Sequence, residues 1–148
     1  MATKRNTLIK EVKRVFENAK GVGGTQWKKV LRTRIDGNEF QGSNVLVILE
    51  QAETYLDVVS PDKRDRTLEL ELISRTYVPK GQVAGDVAHE VLADMEDIVE
   101  ANERWDGAAI ATFLQSNIID IENEGDRVCE ITLFISVRYR TRRSDPRT

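Results

Sequence analysis

Apolar and polar side chains alternate along residues 127–141. Cys129, Ile131, Leu133, Ile135, Val137 and Tyr139 fall on one side, and Glu130, Thr132, Phe134, Ser136, Arg138 and Arg140 on the other. Period two is the mark of a strand with one buried face. Residues 117–122 read as its hairpin partner, joined to it by a turn at Asn123-Glu124-Gly125-Asp126. The second strand exceeds the usual strand length of about 3–10 residues. It closes in Arg138-Tyr139-Arg140-Thr141-Arg142-Arg143, so it is expected to run past its own core and meet another molecule.

Elsewhere the period changes. Leu8, Ile9, Val12, Val15, Phe16 and Ala19 recur at helical spacing, with Asn6 or Thr7 placed to cap the start and Gly21 to end the helix in a left-handed turn. Residues 21–43 read as a long polar loop around a short strand near Trp27-Lys28-Lys29-Val30-Leu31-Arg32. In that loop Trp27 is either a contact residue or folded back onto the core. Residues 44–60 contain an apolar run and an alternating run, and Pro61–Asp65 form a charged turn. Leu68, Leu70 and Leu72 alternate with Glu69 and Glu71 in a half-buried strand reaching about Val78. Residues 82–102 form the longest helix. Val83, Val87, Val91, Met95 and Ile98 make its apolar face, with Asp86, Glu90, Asp94, Asp97 and Glu100 opposite. The expected fold is α+β: one antiparallel or mixed sheet of four to five strands packed on these two helices, in a single domain over residues 1–148.

Composition narrows the functional classes. The net charge is −3, so bulk charge does not mark a polyanion binder. The charge is uneven, basic at both ends and acidic over 86–103. The longest apolar run, Val45–Leu49, falls far short of the roughly 20 residues of a membrane helix. The start leads into an amphipathic helix and not an apolar signal region, so synthesis in the cytoplasm is expected, with no membrane partner. Cys129 is alone and on an apolar face, as a buried inert thiol. His89 is the sole histidine, with neither a cysteine nor a second histidine near it in sequence. Gly21-Val22-Gly23-Gly24 follows a helix and lacks the Gly-Lys-Ser/Thr ending of a phosphate loop. No catalytic residue, cofactor or metal site is expected, and the chain does not read as an enzyme.

The C-terminal strand closing in Val137-Arg138-Tyr139-Arg140-Thr141-Arg142-Arg143-Ser144-Asp145-Pro146 resembles the ending of tail terminator proteins of long-tailed bacteriophages, the lambda-type minor tail protein U family. The order of elements is similar too: an N-terminal amphipathic helix, a hairpin with Arg66–Leu72 as its second strand, one long helix, then the C-terminal hairpin. The resemblance covers most of the chain from Leu8 on, except residues 21–43. It implies a structural virion protein at the head-proximal end of the tail. Such a protein forms a homo-oligomeric ring, hexameric in this family, on the last ring of the tail tube protein. The ring stops tube polymerisation and offers the surface that joins the head connector or stopper protein. DNA then passes the lumen without sequence-specific binding.

On this reading Arg138, Arg140, Arg142 and Arg143 are expected at a subunit or ring-to-ring interface, paired with a neighbour's carboxylates, with Trp27, Lys28 and Lys29 as further contact candidates. A head-side connector or stopper subunit is the alternative within the same class. A sheet-based nucleic-acid-binding domain, using Phe134 with Arg138 and Arg140, is the reading from another class. Glu69, Glu71 and Glu130, expected on outward sheet faces, stand against it.

Overall fold

Two amphipathic helices and five strands account for the hydrophobic pattern. The computed structural model describes residues 2–33, 44–121 and 128–148. Helix α1 spans Lys4–Asn18 and buries Leu8, Ile9, Val12 and Phe16. Its cap is Thr3, whose hydroxyl accepts the Asn6 N–H at 3.1 Å, three residues before the earliest capping residue expected. The helix ends at Ala19 in extended conformation, so Gly21 is not its left-handed cap. Gly21 serves another purpose, described below. Helix α2 spans Ala84–Ala101 and buries Ala88, Val91, Met95, Ile98 and Val99. Val83 precedes it and is exposed, outside the apolar face assigned to it. Asp86 in the first turn offsets the helix dipole.

The strands are β1 Lys29–Leu31, β2 Val45–Ser60, β3 Lys63–Tyr77, β4 Ala111–Ile121 and β5 Val128–Arg142. They form one sheet in the order β1-β2-β3-β5-β4, with β1 parallel to β2 and the other pairs antiparallel. The fold class is the one expected, an α+β domain with a five-stranded mixed sheet and two helices. Strand β3 begins at Lys63, so the turn shrinks to Pro61-Asp62 and the charged residues 63–65 belong to the sheet. Strand β4 begins six residues before the expected Asn117. A bulge between Leu114 and Ser116 shifts its alternation, which hides the first half from a period-two reading. The turn expected at 123–126 and the later part of the 21–43 loop lie outside the described residues.

The inner face of the sheet carries the core. Leu68, Leu70 and Leu72 of β3 oppose Val137, Ile135 and Leu133 of β5, and all are buried. Ile131, Leu133, Ile135 and Val137 share one cluster with Val91, Met95 and Ile98 of α2, as the face assignment requires, with Val87 packed at its margin. Phe16 is flanked by two tryptophans, Trp27 with ring centroids 5.3 Å away and Trp105 at 6.4 Å. Trp27 is only 5% exposed and donates to Ser74 Oγ at 2.8 Å. It is therefore the core residue of the two readings, and as a surface contact candidate it is withdrawn.

Candidate functional site: the charged strand ends and the open sheet face

Strand β5 does not outrun its core. Tyr139 and Thr141 are buried on its inner face. The N-terminus of α1 covers this end: Lys4 Nζ donates to the Arg140 carbonyl at 3.0 Å and Lys4 N to the Pro146 carbonyl at 3.1 Å. The inner face continues as a polar extension of the apolar core. Tyr139 OH donates to Glu53 Oε1 at 2.5 Å, and Arg66 bridges Glu53 Oε2 at 3.2 Å and Thr141 Oγ1 at 3.0 Å. Burial, then the bond to Glu53, raises the Tyr139 phenol well above its ordinary pKa of 10.0, so it stays a donor. Arg5 and Arg32 both reach Glu50, at 2.7 and 3.2 Å. Burial works against the Glu50 carboxylate, but these two guanidiniums outweigh it and hold its pKa below the usual glutamate value.

The outer face bears the arginines. Asp65, 2% exposed, lies directly across from Arg140 in the β3–β5 register. Arg140 Nε donates to its Oδ1 at 2.6 Å and Nη2 to Oδ2 at 3.2 Å. Arg138 adds bonds to Oδ2 at 2.5 Å from Nη2 and 3.2 Å from Nε. The bond from Arg140, then that from Arg138, outweigh burial and hold the Asp65 carboxyl below the ordinary aspartate range. Arg143 reaches Asp57 at 3.5 Å and the Pro61 carbonyl at 3.1 Å. Three of the four candidate arginines thus find their oxygen partners within the chain. Arg142 is exposed at the strand end, across from Lys63. Lys28 and Lys29 are exposed beside a groove between α1 and β1 that Lys13 also lines.

The same outer face is apolar toward the β4 edge. Glu69, Glu71 and Glu130 do lie on it, opposite Ser136, Phe134 and Arg75. So do Phe113, 52% exposed, and Ile118, 57% exposed, on the edge strand, with half-buried Phe134 beside them. Of the exposed large hydrophobic side chains, Phe113 and Ile118 share one strand and one face, with Phe134 between them. Grouped apolar side chains mark contact surfaces better than scattered ones. Among the described residues, edge strand β4 has a neighbouring strand on one side only, beside this patch. Phe113 was not among the expected contact residues, because the bulge conceals the strand that presents it. Asp65 was assigned to a turn and so went unseen as the partner of Arg138 and Arg140.

The face carries aromatics and arginines, as a nucleic-acid platform would. Yet Arg138 and Arg140 share the one Asp65 carboxylate, and four more carboxylates, Glu69, Glu71, Asp120 and Glu130, lie on the same face. Phosphate binding is driven by cations that displace the polyanion's own counter-ions, and a face with five carboxylates opposes it. Among the described residues, no group of three or more His, Cys, Asp or Glu side chains is arranged to hold a metal ion. No described helix is long and apolar enough to cross a membrane. The chain matches no protein-family model and no curated protein.

Proposed function

We propose that this protein is a structural assembly subunit that caps a bacteriophage tail tube, as a ring of identical copies, and offers the surface to which the head joins. The reading rests on the resemblance of the element order and the basic C-terminal strand to tail terminators. The observation that carries it is the open outer face at the β4 edge, where Phe113 and Ile118 stand half in water on a rigid sheet. Such a face suits a protein partner: Phe113, Ile118 and Phe134 form an apolar group at the sheet edge, with Glu69, Glu71, Asp120 and Glu130 on the same face. The test is to assemble tails with and without the protein and image them. Without it, tubes should overgrow and heads should remain separate. Restored protein carrying a gold label should appear at the head-proximal tube end. Label found elsewhere on tails overturns the reading, and label remaining on heads lacking tails would assign the protein to the head-side connector instead.

A further inference from the structure

The two flanks of the sheet carry opposite charge. Residues 4–32, which form α1 and the β1 edge, hold nine Lys or Arg against two Glu. Residues 84–121, which form α2 and the β4 edge, hold nine Asp or Glu against one Arg. The strand order puts β1 and β4 at opposite ends of the sheet, with α1 against β1 and α2 against β5 and β4. The four strand spacings between them amount to about 19 Å.

On the basic flank Arg5 and Arg32 pair with Glu50, Arg14 with Glu11 and Lys13 with Glu17, so the charges left without an ion pair among the described residues are a subset on each side. On α2, Asp86, Glu90, Asp97 and Glu100 form an exposed stripe at positions i, i+4, i+11 and i+14. None of them meets a cation among the described residues, and no Lys or Arg occurs from 81 to 103. On the other flank, Lys28 and Lys29 are likewise without a carboxylate among the described residues. Both sets stand on fixed backbone. Lys28 N donates to the Asn44 carbonyl at 2.9 Å, and the next residue opens β1. Helix α2 is anchored by buried Asp94, which binds the 23–25 backbone. The backbone that carries these charges is ordered already, so pairing costs the freedom of the side chains alone.

We infer that the lysine flank of one copy docks on the acidic α2 stripe of the next. Two unlike patches meeting in one direction make a head-to-tail contact that adds copies beyond two, whereas a two-fold exchange of the same patches stops at a dimer. Sedimentation that stops at a dimer would overturn the head-to-tail arrangement. A head-to-tail contact closes into a ring when its rotation allows. The inference deepens the ring reading above and depends on it only for closure. Exposed ion pairs contribute little singly, so the association is a weak one of several pairs acting together, and it is salt-sensitive.

The test uses sedimentation of the purified chain. Wild type should associate at about 0.1 M salt and dissociate near 1 M, as the screening length falls from roughly 10 Å to roughly 3 Å. Lys28→Glu with Lys29→Glu should lose the associated species, and so should Asp97→Lys with Glu100→Lys. Mixed in equal amounts, the two variants should recover it, because the glutamates at 28 and 29 of one then meet the lysines at 97 and 100 of the other, while the unaltered patches of the pair still match. Wild type that stays monomeric at low salt, single reversals that associate like wild type, or a mixture that does not recover would each overturn the inference. Associated wild type that recovers in the mixture yet never caps tubes would leave the interface standing and refute the tail reading alone.

Discussion

Asp65 holds two guanidinium groups at once, and that fixes how the basic strand end responds to pH. Its folded-state pKa is depressed below the ordinary 3.8, chiefly by Arg140. A depressed carboxyl stabilises the fold above its unfolded-state value and loses that contribution as pH falls through the folded one. Urea unfolding of wild type and Asp65→Asn should therefore differ at neutral pH and converge as pH drops below 3.8. A gap that persists in acid would assign the effect to packing. Arg140→Glu would set a second carboxylate against Asp65, so it perturbs the fold; exposed Arg142 is the better site for a charge reversal aimed at a partner. In the apolar core, Leu133 is buried opposite Leu72. Leu133→Ala should cost about 2–5 kcal/mol in denaturant unfolding, since the cavity adds to the lost transfer energy. Cys129 is buried too, and burial raises its thiol pKa. A thiol reagent should leave it untouched in the native protein and label it only on unfolding.

At the scale of elements, α2 is tied to the loop after α1 through one carboxylate. Asp94 is 2% exposed, although its place in the acidic series predicted a solvated position. Its oxygens accept the Gly23 N–H at 2.8 Å and the Thr25 N–H at 3.1 Å. A Cβ on Gly21 would collide with this carboxylate, which is why glycine stands there. Gly24, with φ of 91°, makes the turn that brings both amides round. Asp94→Ala should cost about 1–3 kcal/mol, because it strands buried donors. Gly21→Ala should also destabilise, but combined with Asp94→Gly it should cost less than the sum of those two single variants. Only glycine at 94 removes all three of the nearest atoms that a Cβ at 21 would meet, the Asp94 Cβ at 2.5 Å included. Additive costs in chemical unfolding would show that the two residues are not coupled. Helical periodicity grouped Asp94 with the solvated acidic series, whereas the structure buries it with Val91, Met95 and Ile98. That the 21–25 loop folds over this part of the helix is a tertiary fact, invisible to periodicity.

For the molecule as a whole, Phe113 and Ile118 lie on the outer side of the sheet, whereas α2 packs on the inner-face core, so the two groups of residues lie on opposite sides of the sheet. On the proposed ring reading, Lys28, Lys29 and the α2 stripe serve contacts between copies and the Phe113–Ile118 face serves a different protein. Phe113→Thr with Ile118→Thr should leave the thermal midpoint nearly unchanged, because both side chains are more than half exposed. The same variant should fail to limit tube length when tails are assembled. Tubes of normal length would remove this face from the docking surface.

Local periodicity was enough to read the two helices, the faces of β3 and β5 and, from their order, the fold class. Each rests on a repeat of two or of about 3.6 residues maintained long enough to be unambiguous. Leu68 to Leu72 and Cys129 to Tyr139 could be assigned inward before any partner was known. Tertiary structure alone decided what the polar residues do. Asp65 meets Arg138 and Arg140 across more than seventy positions of chain, and Tyr139 meets Glu53 across eighty-six. The register between β2, β3 and β5 makes those meetings, and no local pattern encodes it. The same holds for Trp27, whose indole finds Ser74 only once β1 lies beside β2. Apolar burial follows a residue's own period, whereas the pairing of charges depends on which strands become neighbours.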